Sequence, residues 1–201
     1  MGIAERKIRQ KEEFKASILE AAWQQVISDG WQSLSIRKIA DAIEYSIPVI
    51  YNHFENKEAI LLEFTKEGFQ KLSETLQEVK DQYEVPAQQL EAMAHAYWDF
   101  AFDHNEYYQL MFGLGIPACD RVNQIIEMKT ATGIMISTIK AAIAESNHPE
   151  ADYFLKYHTY LSILHGLVSI QMIQKEGKPD ASKKMILQDA ISGFIISITS
   201  K

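Results

Sequence analysis

The sequence predicts an all-α protein of about nine helices, with an N-terminal domain over residues 1–56 and a C-terminal domain over residues 57–201. Three observations support this prediction. Apolar residues recur every three or four positions along most of the chain, without the alternation typical of strands. Glycine and proline are scarce, at nine and five of 201 residues. The length is sufficient for one large or two small hydrophobic cores.

The first eleven residues are predicted to form a mobile basic arm. They contain Arg6, Lys7, Arg9 and Lys11 against the single acid Glu5, although the whole chain has a net charge of −7. Such arms can reach phosphates or the minor groove of DNA. An unstructured terminus without a role remains the alternative, because a run of charge is compatible with both.

A helix is predicted over residues 12–29. Its apolar positions Phe14, Ile18, Ala22 and Val26 lie four residues apart, and Gly30 ends it. We expect this apolar face to pack on the pair of helices that follows.

Residues 34–57 predict two short helices joined by a tight turn. Ser35 is a natural N-cap for the first, whose apolar stripe consists of Ile36, Ile39, Ala40 and Ile43. Ser46 can cap the second, and Pro48 falls in its first turn, where the missing N–H costs nothing. Ile50 and Phe54 then point inward, four residues apart.

The connection through Glu44 and Tyr45 has the length found in helix-turn-helix motifs that bind DNA. In such motifs the second helix lies in the major groove and the first crosses the backbone. The pattern therefore predicts a partner of double-stranded DNA.

This segment resembles the DNA-binding domain of the tetracycline-repressor (TetR) family of bacterial transcription regulators. The matching positions are Ser35, Ile39, Ala40, Ser46, Pro48, Val49, Ile50, Tyr51, His53, Phe54, Lys57 and Glu58. Glu44 departs from the family pattern, which usually has glycine in the turn, so the local geometry of the turn is in question.

The resemblance implies two groups of DNA contacts. Phosphate contacts are implied for Ser35, Arg37, Ser46, Tyr51, His53 and Lys57, and Ile47, Pro48, Val49 and Asn52 are left nearest the base edges. Asparagine can pair with adenine and apolar side chains can touch a thymine methyl, so we expect some A·T content in the operator. The alternative for Tyr51 is that it packs against its own domain.

Six further helices are predicted, over residues 56–82, 87–105, 106–112, 119–145, 150–175 and 182–199. The last two are apolar on more than one side, so they need cover all round. A homodimer formed through a four-helix bundle provides this cover, although both helices could instead be central in a monomer. The residues predicted for the interface are Leu164, Gly166, Leu167, Ile191, Phe194, Ile195 and Ile198.

Aromatic and methionine side chains are dense between residues 93 and 112, which is typical of a pocket for an apolar ligand as well as of a core. Residues 105–113 and 164–169 also resemble a TetR subgroup with a Trp-His-Gly signature, in which Leu164 here replaces the Trp. The candidate ligand-binding residues are His95, Trp98, Phe102, Tyr107, Met111, Met135, Tyr157, Leu161 and His165. For each of them a place in the core is the alternative.

Enzymatic activity is not expected. His165 and Ser169 are four residues apart, but no third group is placed to orient the imidazole, and no phosphate loop or metal-ligand spacing is present. We expect no cofactor and no metal. The single cysteine, Cys119, and the lack of a signal or a membrane-spanning stretch predict a soluble, cytoplasmic protein without a membrane partner.

The resemblance implies a ligand-responsive transcription regulator. We expect a repressor that binds a pseudo-palindromic operator as a homodimer and is released by a small apolar or aromatic effector. Two alternatives remain open: a helical protein–protein adaptor that does not bind DNA, and a nonspecific DNA-associated protein without a ligand.

Overall fold

The computed structural model describes residues 2–113, 125–173 and 181–200, and every regular element in these ranges is helical. The predicted all-α class is therefore confirmed. The helices within these ranges are α1 (Ile3–Asp29), α2 (Ile36–Ala42), α3 (Ile47–Tyr51), α4 (Lys57–Lys80), α5 (Pro86–Asp103), α6 (Asn105–Met111), α7 (Ile126–Ala144), α8 (Tyr153–Ile173) and α9 (Ala181–Thr199), with a short 3-10 helix at Trp31–Ser33. None of these helices is long and apolar enough to cross a membrane.

The chain divides into two compact units. The N-terminal unit comprises Met1–Thr65 with Gln109–Val122, and the C-terminal unit comprises Lys66–Tyr108 with Asn123–Lys201. Helix α4 begins in the first unit and ends in the second. The domain boundary proposed between residues 56 and 57 stays a prediction.

Helix α1 begins at Ile3, so the predicted start at residue 12 is wrong and the predicted basic arm is helical. The cause is composition: alanine, arginine, lysine, glutamine and glutamate are all good helix formers. The Gly2 backbone N–H donates to the Glu5 carboxylate over 2.8 Å, which caps the first turn. Arg9 and Glu13 form an i,i+4 ion pair of 3.6 Å on the surface.

The core of the N-terminal unit follows the predicted apolar stripes. Ile18, Ala22 and Val26 of α1 are buried, as are Ile39 of α2 and Ile50 of α3. An aromatic cluster closes the other end of this core, with ring centroids 5.4–5.8 Å apart among Trp23, Trp31 and Phe64. The positions of α2 and α3 are thereby fixed against α1 and the first turns of α4.

The turn between α2 and α3 forces Glu44 into the left-handed region, with φ of 59°. The Tyr45 N–H donates to the Ala40 carbonyl over 2.9 Å and the Glu44 N–H to the Asp41 carbonyl over 3.3 Å. These two hydrogen bonds form a Schellman motif, whose left-handed position is usually glycine. Glu44 in place of the usual glycine therefore leaves the turn intact. Its side chain adds a steric cost in the left-handed region, which glycine would not have.

Glu44→Gly is accordingly expected to raise the free energy of unfolding by up to about 1 kcal/mol, because the left-handed conformation costs an L-residue roughly that much. Urea denaturation followed by circular dichroism measures the change. Glu58→Gly is the matched control: Glu58 lies exposed in the first turn of α4, and there glycine should destabilise. Equal decreases in stability in both variants would show that the turn is not strained.

Four helices build the core of the C-terminal unit. Helix α5 packs against α7, α8 and α9, and α8 packs against α7 and α9. The Tyr160 hydroxyl of α8 donates to the Leu90 carbonyl of α5 over 2.6 Å, and its ring lies 5.2 Å from that of Phe194. Helix α8 starts at Tyr153 because the Asp152 carboxylate accepts from the N–H groups of Phe154 and Leu155.

Helix α7 is described from Ile126. The predicted helical residues 119–124, which include Cys119, lie outside the described residues, as does the predicted end of the penultimate helix at residues 174–175.

Candidate functional site

The first candidate site is the outer surface of α3. The side chains of Ile50 and Phe54 are buried beneath it. Ser46, at the N-cap of the helix, makes no capping hydrogen bond with its side chain. The predicted contacts that lie on the exposed side are Ser46, Ile47, Pro48, Tyr51 and Asn52, and Val49 is half-buried. The tyrosine ring of Tyr51 is half exposed, at 50%.

Helix α2 is held in place by its cap. The Lys38 N–H donates to the Ser35 hydroxyl over 3.5 Å, as the prediction of Ser35 as an N-cap requires. The Ser35 N–H donates in turn to the Gln25 side-chain carbonyl over 3.1 Å, which ties the start of α2 to α1. Arg37 is exposed in the first turn of α2. The hydroxyl of Ser35 is therefore engaged in the cap, whereas Arg37 is open to a phosphate.

His53 and Lys57 lie at the far end of α3. The His53 ring packs 4.8 Å from the ring of Phe14, and its buried Nδ1 has no hydrogen-bond partner among the described residues. Only the other ring nitrogen of His53 is thus left for a phosphate. Lys57, the first residue of α4, is half-buried.

Tyr45 is a candidate that the sequence analysis treated only as part of the turn. Its side chain is 53% exposed, and its ring lies 4.6 Å from that of Phe14. It stands next to the N-terminus of α3, so it extends the surface formed by Ile47, Tyr51 and Asn52. The sequence contained a signal for this role: Tyr45 is an aromatic residue in a turn, where small or polar residues are favoured.

The second candidate site is a chain of polar groups inside the C-terminal unit. The hydroxyls of Tyr97 and Tyr108 are 3.0 Å apart, and the Tyr108 hydroxyl lies 2.7 Å from Nδ1 of His165. Nε2 of His165 is 3.4 Å from the Ser169 hydroxyl. The predicted candidate His165 is thus hydrogen-bonded, and two tyrosines not predicted as polar contacts join it.

Burial keeps this polar chain neutral. It raises the pKa of Tyr97 well above the ordinary value, and neighbouring Tyr108, Tyr157 and Tyr160 contribute in the same direction. The pKa of Tyr108 is also raised by burial. Burial lowers the pKa of His165, so the imidazole is neutral near pH 7 and its Nδ1 can accept from the Tyr108 hydroxyl.

Stability should therefore depend on the protonation of His165. Because its folded pKa is below the ordinary value of about 6.5, the unfolded chain takes up the proton first, and stability is lost as the pH falls from about 7.5 to about 5.5. We expect this loss to be smaller in His165→Gln, measured by urea denaturation at the two pH values. An unchanged loss in His165→Gln would contradict the burial argument.

The remaining ligand candidates do not gather at one place. His95 hydrogen-bonds Gln188 over 2.6 Å, and it lies on an open groove of about 610 Å³ that Glu91 and Asp99 also line. Tyr97 is two residues further along α5 and so about 200° round the helix, on the side of His165. Trp98 and Phe102, whose ring centroids are 5.1 Å apart, lie on the same side of α5 as His95. The hydrogen-bonded chain of Tyr97, Tyr108 and His165 lies on the other side of this helix.

The other candidates are mostly buried. Tyr157 is hydrogen-bonded to Thr132 over 3.3 Å, and Met135 is buried whereas Leu161 is half-buried. The Tyr107 ring is buried with Lys71 Nζ 5.8 Å above it. Met111 is also buried but belongs to the N-terminal unit, while the other candidates belong to the C-terminal unit.

The predicted interface residues require a correction. Leu164, Ile191, Phe194 and Ile198 are buried within the chain itself, so their side chains form its own core rather than a surface. Gly166, Leu167 and Ile195 are half-buried. The large apolar side chains of α8 and α9 that are exposed are instead Tyr153, Phe154, Leu155, Ile170, Ile173, Met185, Ile186 and Ile196. The apolar residues on all sides of α8 and α9 indicated that both faces of each helix are packed. They could not indicate which face packs inside the chain and which would contact a second copy.

Two glycines lie close to this exposed surface. A Cβ atom added to Gly166 of α8 or Gly193 of α9 would meet nothing within 4 Å. Neither glycine is therefore needed for packing inside the chain.

Among the described residues no group of three or more His, Cys, Asp and Glu side chains is arranged to hold a metal ion.

Comparison with known families now identifies the class of protein. Residues 18–64 match the family of bacterial regulatory proteins named tetR, and residues 90–190 match the tetracyclin repressor-like C-terminal domain. The chain therefore belongs to the TetR family of transcriptional regulators. Members of this family are DNA-binding regulators rather than enzymes. The subgroup with the Trp-His-Gly signature stays a prediction.

Individual relatives are distant. The chain is 24% identical to the HTH-type transcriptional activator FasR of Mycolicibacterium smegmatis, over 81% of this chain and 70% of FasR. It is 22% identical to the HTH-type transcriptional regulator YobS of Bacillus subtilis, over 90% and 92% of the two chains. The structure of the fatty acid degradation regulator FadR from Bacillus halodurans shares the fold, with a TM-score of 0.70 and 16% identity over 90% of this chain and 94% of FadR.

Proposed function

We propose that this regulator is a homodimeric repressor that binds a pseudo-palindromic operator through α3 and releases it when an apolar effector binds the C-terminal unit. The observation that carries the proposal is the division of α3 into two sides. Ile50 is buried, whereas Ile47, Pro48, Tyr51 and Asn52 form one exposed surface led by the N-terminus of the helix. Recognition helices present their N-terminal residues to base edges in the major groove in this way.

Dimerisation is supported by the exposed apolar side chains of α8 and α9. Eight large apolar residues are exposed on these two neighbouring helices, and exposed apolar side chains in such number are typical of a protein–protein interface. Gly166 and Gly193 leave room for the backbone of a second copy to approach closely. A dimer would place two copies of α3 about 34–36 Å apart, so that they meet successive major grooves on one side of the duplex.

The effector class is proposed from the interior of the C-terminal unit. Its polar groups are neutral tyrosine hydroxyls and a neutral imidazole, and the other candidate residues there are apolar or aromatic. This chemistry suits a largely apolar molecule with one uncharged or hydrogen-bonding end. FadR is described as a regulator of fatty acid degradation, so fatty acids of graded chain length are the first effectors to test.

The proposal that this chain is a repressor differs from the name of one relative, because FasR is named an activator. A ligand changes DNA affinity only through its different affinities for the two conformations of the regulator, which typically corresponds to about 1–3 kcal/mol. Release of DNA by the effector would therefore appear as a loss of about 5- to 150-fold in affinity.

The test is a selection from randomised DNA duplexes with the full-length protein. We expect an inverted repeat with some A·T pairs in each half-site, bound less tightly after addition of a fatty acid. A purely G·C-rich site would reject the proposed contact between Asn52 and adenine. Tighter binding on addition of the effector would reverse the sign, and binding insensitive to salt would favour the protein–protein adaptor instead.

A further inference from the structure

The first three turns of α1 extend beyond the body of the N-terminal unit. Every residue from Gly2 to Glu13 is exposed, and Phe14 is the first to pack against other residues. The family match begins at residue 18, so this segment lies outside it. Because its side chains are not packed in the core, packing does not account for the basic residues of this segment.

Phe14 fixes the direction in which this segment leaves the fold. Its ring contacts Tyr45 just before α3 and His53 just after it, with centroid distances of 4.6 and 4.8 Å. At 1.5 Å per residue, the backbone of Lys11 lies about 4.5 Å beyond Phe14 and that of Lys7 about 10 Å beyond it. The segment therefore starts beside the exposed surface of α3.

Two of the four cations in the segment, Lys7 and Lys11, share one face of the helix, and the two arginines lie off it. Lys7 and Lys11 precede Phe14 and Ile18 at spacings of four, three and four, so all four share the face of α1 that packs on the helix-turn-helix. Arg9 lies roughly on the opposite side, about 200° from Lys7 round the helix, and Arg6 lies on the flank, about 100° from Lys7. Arg9 is also paired with Glu13. No acidic partner lies within ion-pair distance of Lys7 or Lys11 among the described residues.

We infer that Lys7 and Lys11 form a second DNA-binding surface, in which a rigid helix places both ammonium groups on backbone phosphates next to the site read by α3. The inference rests on the proposed function, because it requires α3 to bind DNA. Two lysines on one face provide positive charge without base recognition, which suits phosphates rather than base edges. The rest of the chain is acidic, so this face would contribute an appreciable part of the electrostatic affinity.

The test compares two double variants that each remove two cations from the same segment. We expect Lys7→Ala with Lys11→Ala to make the slope of log K against log salt less negative by about 1.8, or about 0.9 for each phosphate that is no longer neutralised. Arg6→Ala with Arg9→Ala should change the slope much less. Alanine preserves the helix, and binding is measured by fluorescence anisotropy on a duplex selected by the wild-type protein.

The outcomes separate this inference from the function on which it rests. If the wild-type protein binds no duplex at low salt, the proposed function itself fails. If it binds and both double variants reduce the slope equally, the segment is a flexible basic arm and the two-faced helix is wrong. If neither slope changes but the lysine pair governs binding to anionic phospholipid vesicles, the surface belongs to a lipid and the inference is overturned.

Discussion

Replacing Ile196 and Ile170 with glutamate is expected to convert the protein from a dimer into a monomer. Both side chains are exposed in the single chain, at 65% and 54%, although they are large and apolar. Burying one isoleucine contributes about 1.5–3 kcal/mol, and a symmetric interface contains each residue twice. Glutamate removes this contribution and adds an unpaired charge, so we expect dimerisation to weaken by more than about 100-fold.

Sedimentation velocity over a range of concentrations measures this change. Ile126→Glu is the matched control, because Ile126 is also an exposed isoleucine, at 75%, but lies on α7. The control should remain dimeric. The monomeric variant should also bind its operator much more weakly, since the second half-site is then no longer held at a high effective concentration. A double variant that stays dimeric would place the interface elsewhere.

Asn52→Ala and Lys57→Ala are expected to impair DNA binding in different ways. Asn52 is exposed at the end of α3, where its amide can pair with a base edge. We expect Asn52→Ala to lose about 1–3 kcal/mol on the selected operator, about 5- to 150-fold, with little effect on nonspecific duplex. Lys57→Ala should weaken binding to every duplex and reduce the salt slope by about 0.9, as expected for one phosphate contact.

Gln24→Ala provides the control for both variants. Gln24 is an exposed amide on α1 in the same unit, and its side chain hydrogen-bonds Glu20. Fluorescence anisotropy on selected and unrelated duplexes distinguishes the two effects. If Asn52→Ala weakened both duplexes equally, Asn52 would not be reading a base.

The sequence predicted α2 and α3 well because their signals are local. Ser35 lies at the start of α2, Pro48 fits only an N-terminal turn, and the buried pair Ile50 and Phe54 is spaced for one helical face. The unusual residue at position 44 was also visible, since the turn needs a left-handed residue. The start of α1 was missed because a dense run of charge is equally compatible with a solvated helix and with a flexible arm.

The C-terminal unit was predicted less completely because its details depend on contacts between distant residues. Tyr108 and His165 are separated by 57 residues, so no spacing in the sequence could indicate their hydrogen bond. The same limit applied to the last two helices. Their composition indicated that more than one face of each helix is packed. Only the packing of α5 and α7 against α8 and α9 decides that Leu164 is buried within the chain and that Ile196 is exposed.

The most direct test is the mass of the complex that the full-length protein forms with its selected duplex, measured by sedimentation at low and at moderate salt. Two chains should bind each duplex, through one α3 per half-site, and the complex should dissociate steeply as salt increases. A protein that stays monomeric and binds no duplex at low ionic strength would contradict the proposal that paired helices read DNA.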